Sequence, residues 1–437
     1  MKFWLPLWAS WLLMMLEGPV VNALIARMAE AKLQLAAFGV AFSLALAIES
    51  PIVSQLTVGN ALARNRESFR LLRRFMWGLI VLVTAGMLLV TLTPAFDLVV
   101  VKLIGTPIAV ATYVRSPLLA LAIWPAAIAY RRFHQGVMIR YGYTRQVSYG
   151  TVVRLLTSAG VALAGYLWSR LDGATVAGLA LAASALAEAI LVHFLSRPAV
   201  NTVERMETVG EPVLSMDELL RFYSPLTLTS MIMLSTAPLI NFGLARAPNP
   251  IESLATWPVV NSQLLIARSF GLSLQEVVVA RLDGAQALKT LQRFAVILGV
   301  VALLSLVVLA FTPLALWWQM QIAGLNTELT AFAVSALRLA VLLPSLNVLQ
   351  SWFRGILVTG KTTGAIAQAT VINLAVLLVV LLLGAGHRWL PGASLAAIAL
   401  TASQVIESVW LWRAARPTRL RMIRQLPSPD GVTAIRE

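Results

Sequence analysis

The chain carries one sequence pattern twice. Residues 222–417 repeat residues 3–198 at a constant offset of 219, with no gap. The recurring pairs combine proline, glycine, polar and charged residues: Pro19/Pro238, Asn22/Asn241, Arg27/Arg246, Arg74/Arg293, Pro125/Pro344, Gly136/Gly355, Glu188/Glu407 and Arg197/Arg416. The match predicts an internal duplication in which both copies adopt the same fold, related by an approximate two-fold axis.

The composition places both copies in a membrane. Hydrophobic residues make up 59% of the chain and charged residues 12%, whereas a soluble domain carries about 25% charged residues. Apolar stretches of 18 or more residues recur along the whole sequence, as expected for transmembrane helices. Cysteine is absent, which excludes disulfides, thiolate metal sites and a cysteine nucleophile. No P-loop occurs, which argues against a built-in ATPase.

Twelve membrane-spanning helices are predicted, six in each copy. Their approximate ranges are 3–26, 34–61, 71–95, 116–139, 146–169, 174–196, 218–245, 253–280, 290–318, 330–357, 364–387 and 393–415. Short amphipathic helices are predicted after the third and ninth spans, over 94–105 and 313–324. We divide the chain into an N-terminal bundle (1–198), a cytoplasmic linker (199–217), a C-terminal bundle (218–417) and a cytoplasmic tail (418–437).

Arginine and lysine concentrate in alternate loops. The loop after the second span holds five arginines between positions 64 and 74, whereas the opposite loops hold isolated charges such as Lys32 and Lys102. By the positive-inside rule both termini are cytoplasmic, and an even number of spans per copy makes the two repeats parallel. We expect a monomer in the bacterial inner membrane. We expect its net charge of +15 to interact with anionic lipid headgroups and not with nucleic acid.

Several ionisable residues fall inside predicted spans, where charge is costly and usually faces a cavity or a partner. Glu49 and Arg268 are repeat equivalents. They could form a gate or substrate clamp across the central cleft, or structural ion pairs. Glu17 has no acidic twin, because Thr236 replaces it, and it could bind a coupling ion or pair with an arginine. For Glu188 and Glu407, retained in both copies, a structural role is favoured over a proton or sodium site.

The arginines inside spans suggest an anionic substrate, because guanidinium stays charged and binds carboxylate or phosphate with two hydrogen bonds. The candidates for substrate binding are Arg131, Arg154, Arg268 and Arg338, with Glu17 and Glu49 as coupling or gating residues. An alternative is that Arg131, Arg132 and Arg154 extend to the cytoplasmic headgroups. No metal-ligand cluster or catalytic constellation is evident, so we expect no enzyme activity, no metal and no cofactor. The coupling ion, a proton or sodium, is left open.

Motifs in both halves resemble the progressive ankylosis protein family. They are Ala37-Phe-Gly-Val-Ala-Phe-Ser-Leu44, Phe222-Tyr-Ser-Pro-Leu226, Pro238-Leu-Ile-Asn-Phe-Gly-Leu-Ala-Arg246, Gly355-Ile-Leu-Val-Thr-Gly-Lys361 and Pro391-Gly-Ala-Ser-Leu395. That family belongs to the multidrug/oligosaccharidyl-lipid/polysaccharide (MOP) exporter superfamily. The resemblance implies an all-α membrane protein in which two six-helix bundles form a V around a central cleft.

The resemblance also implies a function. It indicates a secondary-active, alternating-access exporter of a small organic or phosphate-bearing anion, such as pyrophosphate, citrate or a nucleotide. The duplication agrees with this architecture, since many transporters place their substrate site between two repeats. The alternatives on the same fold are a cation-coupled multidrug exporter and a flippase for a lipid-linked glycan.

Overall fold

The protein is almost entirely helical. In the computed structural model the described residues are 4–168, 170–206, 214–282, 285–360, 362, 364–388 and 390–424. Helix accounts for 89% of the structure, and these ranges contain no strand. Within these ranges, eleven helices are long and apolar enough to cross a membrane. The pair Thr327–Leu339 and Leu343–Thr359, bent by 40°, brings the number to twelve. The predicted all-α polytopic membrane protein is confirmed.

Two lobes follow from the repeat. The N lobe consists of α1 (Trp4–Met15), α2 (Glu17–Ile25), α3 (Ala31–Glu49), α4 (Gln55–Leu62), α5 (Arg66–Leu92), α6 (Ile108–Ala120), α7 (Trp124–Arg140), α8 (Thr144–Trp168) and α9 (Gly173–Arg205). The C lobe consists of α10 (Met216–Leu234), α11 (Thr236–Arg246), α12 (Pro250–Arg281), α13 (Ala285–Phe311), α14 (Leu314–Trp317), α15 (Thr327–Leu339), α16 (Leu343–Thr359), α17 (Gly364–His387) and α18 (Gly392–Arg424).

The helix boundaries repeat at the offset of the sequence pattern. α5, α6, α7 and α9 begin and end 219 residues before α13, α15, α16 and α18. The second span differs, because a 3-10 turn at Ser50–Ser54 separates α3 from α4, whereas α12 continues unbroken through the equivalent residues. Pro51 explains the break, since proline lacks the amide hydrogen that a helix interior needs. Its twin is Phe270, which imposes no such limit.

The segments after the third and ninth spans are helical, as predicted, but contain π-helical turns at Asp97–Leu103 and Trp318–Ile322. α9 and α18 extend to Arg205 and Arg424, so helix continues past the predicted bundle ends at 198 and 417. Residues 207–213 of the predicted linker and 425–437 of the predicted tail lie outside the described residues.

The lobes meet where α1, α2 and α3 pack against α12, and where α11 packs against α3. Two asparagines cross this boundary as repeat equivalents. Asn22 donates to the carbonyl oxygen of Pro258 (3.0 Å) and the hydroxyl of Ser262 (3.4 Å). Asn241 donates to the carbonyl oxygen of Gly39 (3.2 Å) and the hydroxyl of Ser43 (2.7 Å). These acceptors are also repeat equivalents, so the interface has two-fold symmetry.

A second symmetric contact lies at the predicted outer face. Arg27 donates from Nη2 to the carbonyl oxygens of Gln321 (2.5 Å) and Ile322 (3.1 Å) in the C lobe. Arg246 donates to those of Ile104 and Leu103 (3.0 Å to Leu103) in the N lobe. Gly105 and Gly324 follow these carbonyls with positive φ, and a Cβ on either would lie within 3 Å of the incoming guanidinium. Glycine therefore permits both the backbone turn and the close approach.

Candidate functional site

A cavity of about 300 Å³ lies between the two lobes. It lies beside the asparagine contacts, and its walls come from α1, α2, α3, α7, α8 and α9 of the N lobe and α11 and α12 of the C lobe. Every charged residue of its lining belongs to the N lobe. These residues are Glu17, Glu49, Arg131, Arg132 and Arg154. The charge asymmetry between the repeats therefore coincides with the cavity.

Glu17 is held by an ion pair inside the N lobe. It is the first residue of α2, next to the break between α1 and α2, and is 6% exposed. One carboxylate oxygen lies 2.5 Å from Arg154 Nη2 on α8, and the other accepts a hydrogen bond of 2.9 Å from the Ser184 hydroxyl. The sequence alternative of a buried glutamate paired with a neighbouring arginine is the arrangement observed.

Arg131 is also paired. Its guanidinium binds the carboxylate of Glu188 on α9, which is 1% exposed, and Gln135 donates a 3.2 Å hydrogen bond to the same carboxylate. Arg131 and Gln135 lie one turn apart on α7. Both side chains therefore reach Glu188 from the same face of that helix.

The C lobe contains the same cluster of glutamate, arginine and glutamine, but the arginine and the glutamine have exchanged positions. Glu407 binds Arg354 and accepts a hydrogen bond of 3.2 Å from Gln350. Gln350 is the repeat equivalent of Arg131, and Arg354 is that of Gln135. Each lobe therefore pairs one buried glutamate with one arginine and one glutamine on the facing helix, in opposite order. This agrees with the predicted structural role of Glu188 and Glu407.

Two charged groups of the lining are left without an ion pair in the described part of the chain: Glu49 and Arg132. Glu49 ends α3, is 5% exposed, and its Oε2 is buried without a hydrogen-bond partner. Arg132 lies next to Arg131 on α7, and its buried Nε also has no partner. Arg132 is the strongest electrostatic neighbour of Glu49. An unpaired buried charge is costly, and inside a membrane span such a group usually faces a cavity or a partner.

The other two candidate arginines lie elsewhere. Arg268 is half-buried on α12, is not part of the cavity lining, and has Arg354 and Glu407 as its electrostatic neighbours. It therefore does not meet Glu49 across the cleft. Arg338 is exposed on α15, where its Nε donates to the carbonyl oxygen of Ala310 (3.2 Å) and its guanidinium lies 5.6 Å from the ring of Phe311.

The remaining cavity wall is mainly apolar and aromatic. Phe38, Phe42 and Trp124 contribute from the N lobe and Trp257 from the C lobe. The rings of Phe42 and Trp124 pack at a centroid distance of 5.7 Å. The site therefore combines a flat apolar surface with charge on one side. No group of three His, Cys, Asp or Glu that could hold a metal occurs among the described residues.

Sequence reasoning missed the roles of Asn22 and Asn241, although the repeat marks both, and those of Gln135 and Arg354. It included Arg132 among the arginines that bias the inner cavity but did not select it for substrate binding. The sequence does contain a signal for this exchange. Arginine and glutamine lie one helical turn apart in both copies, as Arg131 and Gln135 in the first and as Gln350 and Arg354, in the opposite order, in the second.

Known structures share this architecture. An inward-facing multidrug resistance MATE family transporter of the MOP superfamily matches with TM-score 0.67 and 13% identity, over 95% of this chain and 96% of that one. The lipid II flippase MurJ, in an inward closed conformation, matches with TM-score 0.71 and 12% identity, over 96% and 90%.

A MOP superfamily transporter from Pyrococcus furiosus, described as having a binding pocket of reverse polarity, matches with TM-score 0.63 and 14% identity, over 95% and 96%. No protein-family model and no curated protein matches the chain, so the resemblance to the progressive ankylosis family rests on its motifs. The chain has the fold of the MOP superfamily transporters.

Proposed function

We propose that the protein is a secondary-active exporter that works by alternating access and carries a small organic or phosphate-bearing anion. The observation that carries this proposal is Arg132. It is the one arginine of the cavity lining without a carboxylate partner in the described residues, since Arg131 and Arg154 are paired with Glu188 and Glu17. A guanidinium in such a place binds carboxylate or phosphate with paired, charge-assisted hydrogen bonds.

Glu49 supplies a means of coupling. It is the strongest acidic electrostatic neighbour of Arg132. When an anion binds Arg132, Glu49 loses its favourable counter-charge, and its negative form becomes more costly in the buried site. It would then take up a proton or a sodium ion. Anion and cation would occupy the site together and leave together. A multivalent anion with one cation keeps a net negative charge, so the inside-negative membrane potential would drive the pair outward as the two lobes move.

The substrate range proposed from the family resemblance is pyrophosphate, citrate or a nucleotide. The aromatic wall of Phe42, Trp124 and Trp257 supports an anion with a flat organic part, such as a nucleotide, within that range. Rings stack favourably on aromatic side chains.

A second candidate is a cation-coupled multidrug exporter. It is favoured by the same aromatic wall together with the unpartnered Oε2 of Glu49, because an organic cation would find both a ring face and a carboxylate there. In this case Arg132 would oppose binding, and its removal would increase transport.

Transport in proteoliposomes tests both candidates. The purified chain is reconstituted, and efflux of pyrophosphate, citrate, ATP and ethidium is measured with and without a proton or sodium gradient. We expect Arg132→Gln to lower anion efflux about tenfold or more, equivalent to ~1.4 kcal/mol of lost binding. Arg115→Gln is the control, because Arg115 lies outside the cavity against Phe96. Unchanged anion efflux in Arg132→Gln, or efflux of ethidium alone, would reject the anion proposal.

A further inference from the structure

A groove with a volume of about 660 Å³ lies on the flank of the C lobe, separate from the central cavity. It lies between α13, α16 and α18. Its floor contains the buried residues Gly299, Trp352 and Phe353. Its rim is formed by large apolar side chains that are 39% to 60% exposed: Val296, Val300, Leu349, Val405, Val409 and Trp412. Such a surface on a membrane protein faces lipid.

The N lobe provides an internal comparison, because its equivalent surface carries more polar side chains at several positions and has no glycine at the position of Gly299. Gly299 has Ile80 as its equivalent, and Leu349 has Tyr130. Tyr130 stacks on His134 with ring centroids 4.1 Å apart, and its hydroxyl is 2.6 Å from Nδ1 of His193. The C lobe has Phe353 and Trp412 in place of these two histidines. At these positions the lining of the groove is therefore more apolar than the equivalent surface of the N lobe.

The groove ends in positive charge. Arg419 lines it at the end that we predict to be cytoplasmic, where its Nη2 donates to Gln292 Oε1 (2.9 Å) and its Nε is buried without a partner. Arg416 precedes it by one turn of α18, Arg293 follows Gln292 on α13, and both are exposed. Glu407, which is bound to Arg354, is the only acidic residue in the sequences of the three helices.

The dimensions fit one lipid chain. Along α13 the lining runs from Gln292 to Val300, and along α18 from Val405 to Arg419. At 1.5 Å per residue these lengths are about 12 Å and about 21 Å. Half of the hydrocarbon core of a bilayer is about 15 Å. A lipid with its phosphate at the level of Arg419 would therefore place one acyl chain along the groove to the middle of the membrane.

We propose that this groove is a binding site for one anionic phospholipid of the inner leaflet, whose acyl chain lies on Gly299, Trp352 and Phe353 and whose phosphate binds Arg419. The apolar floor would select a chain, and the arginines would select a negative headgroup over a zwitterionic one. The site is independent of the transported substrate, because it lies on the outer flank of one lobe.

Native mass spectrometry of the delipidated full-length chain tests the proposal, with dioleoyl phosphatidylglycerol and dioleoyl phosphatidylcholine as probes. We expect one tightly retained phosphatidylglycerol and binding of phosphatidylcholine about tenfold weaker or more. Gly299→Ile copies the N lobe and should weaken phosphatidylglycerol binding about tenfold, which is ~1.4 kcal/mol. Arg419→Gln should reduce phosphatidylglycerol binding to the level of phosphatidylcholine. Gly86→Ile is the matched control, since Gly86 on α5 has open space around it.

Equal binding of the two lipids, or wild-type binding of phosphatidylglycerol by both Gly299→Ile and Arg419→Gln, would overturn the proposal. If Gly299→Ile does not fold, photolabelling of the wild type decides the question. A phosphatidylglycerol with a diazirine in its acyl chain should label peptides of α13, α16 and α18 above all others. Labelling spread evenly over both lobes would overturn the proposal.

Discussion

Asn22 and Asn241 make the same pair of hydrogen bonds in opposite directions across the lobe boundary. Each donates to a backbone carbonyl and to a serine hydroxyl of the other lobe, and all six residues line or border the central cavity. These contacts join the two lobes at the cavity, where the proposed alternating access would require the lobes to move relative to each other. The asparagines therefore hold the two lobes together beside the cavity.

Removing either asparagine side chain should lower stability by a similar amount. Hydrogen bonds between membrane helices contribute about 0.6 kcal/mol on average and up to about 1.7 kcal/mol. We expect Asn22→Ala and Asn241→Ala to lower the melting temperature in detergent to similar extents, and the double variant to lower it by roughly the sum. Asn201→Ala, at an exposed site on α9, should leave it unchanged. A double variant as stable as the wild type would contradict this role.

The arginine contacts at the predicted outer face should control access to the cavity. Lysine keeps the charge of Arg27 and Arg246 but cannot bind two carbonyl oxygens with one planar group. Because the chain has no cysteine, Leu265→Cys in the cavity lining reports access without interference. We expect the double variant Arg27→Lys/Arg246→Lys to increase labelling of this cysteine from outside, by an impermeant maleimide, about tenfold. A tenfold change corresponds to ~1.4 kcal/mol in the equilibrium between closed and open outer face. An unchanged labelling rate would show that other contacts close this face.

The C lobe suggests how the Glu17–Arg154 ion pair can be removed safely. The C-lobe equivalents of Glu17 and Arg154 are Thr236 and Asn373, which carry no charge. Breaking one partner of a buried pair costs about 3–5 kcal/mol, whereas replacing both can be nearly neutral. We expect Glu17→Thr and Arg154→Asn to lower the melting temperature strongly as single variants, and the double variant to recover most of the loss. Failure of the double variant to recover would indicate that one residue has a separate structural role.

The exchanged arginine and glutamine give a similar test on α7. Arg131→Gln leaves Glu188 without its ion pair and should destabilise the protein by about 3–5 kcal/mol. Adding Gln135→Arg recreates the order found in the C lobe, where Arg354 and Gln350 bind Glu407. We expect this double variant to approach wild-type thermal stability. Stability no better than that of Arg131→Gln alone would show that the two lobes are not interchangeable here.

The sequence was sufficient for the architecture. The repeat offset and the apolar spans predict twelve helices, and the helix boundaries of α5 and α13 or of α9 and α18 repeat at the same offset. The interruption after Glu49 also has a visible cause in Pro51. These features depend on local chemistry and on a pattern that is present twice, so they can be derived without knowledge of long-range contacts.

The site could be predicted only in part. Glu49 and Arg268 are equivalent, but positions related by a two-fold axis meet only when both lie near that axis, and the sequence does not give that distance. Arg338 was a candidate because it lies inside a span, yet it is exposed on the flank, bonded to the carbonyl oxygen of Ala310. The ion pairs of Arg131 with Glu188 and of Arg154 with Glu17 depend on the depth and rotation of four helices. Hydropathy does not specify either quantity.

The crossed bonds of Asn22 and Asn241 have a consequence for the origin of the chain. A contact that is its own image under a two-fold axis can form between two identical subunits, because each surface carries both the donor and the acceptors. A single ancestral lobe with one asparagine, one exposed carbonyl and one serine would therefore already have been able to make a symmetric dimer. Two copies joined in one chain can differ, as this chain shows: every charged residue of the cavity lining belongs to the N lobe.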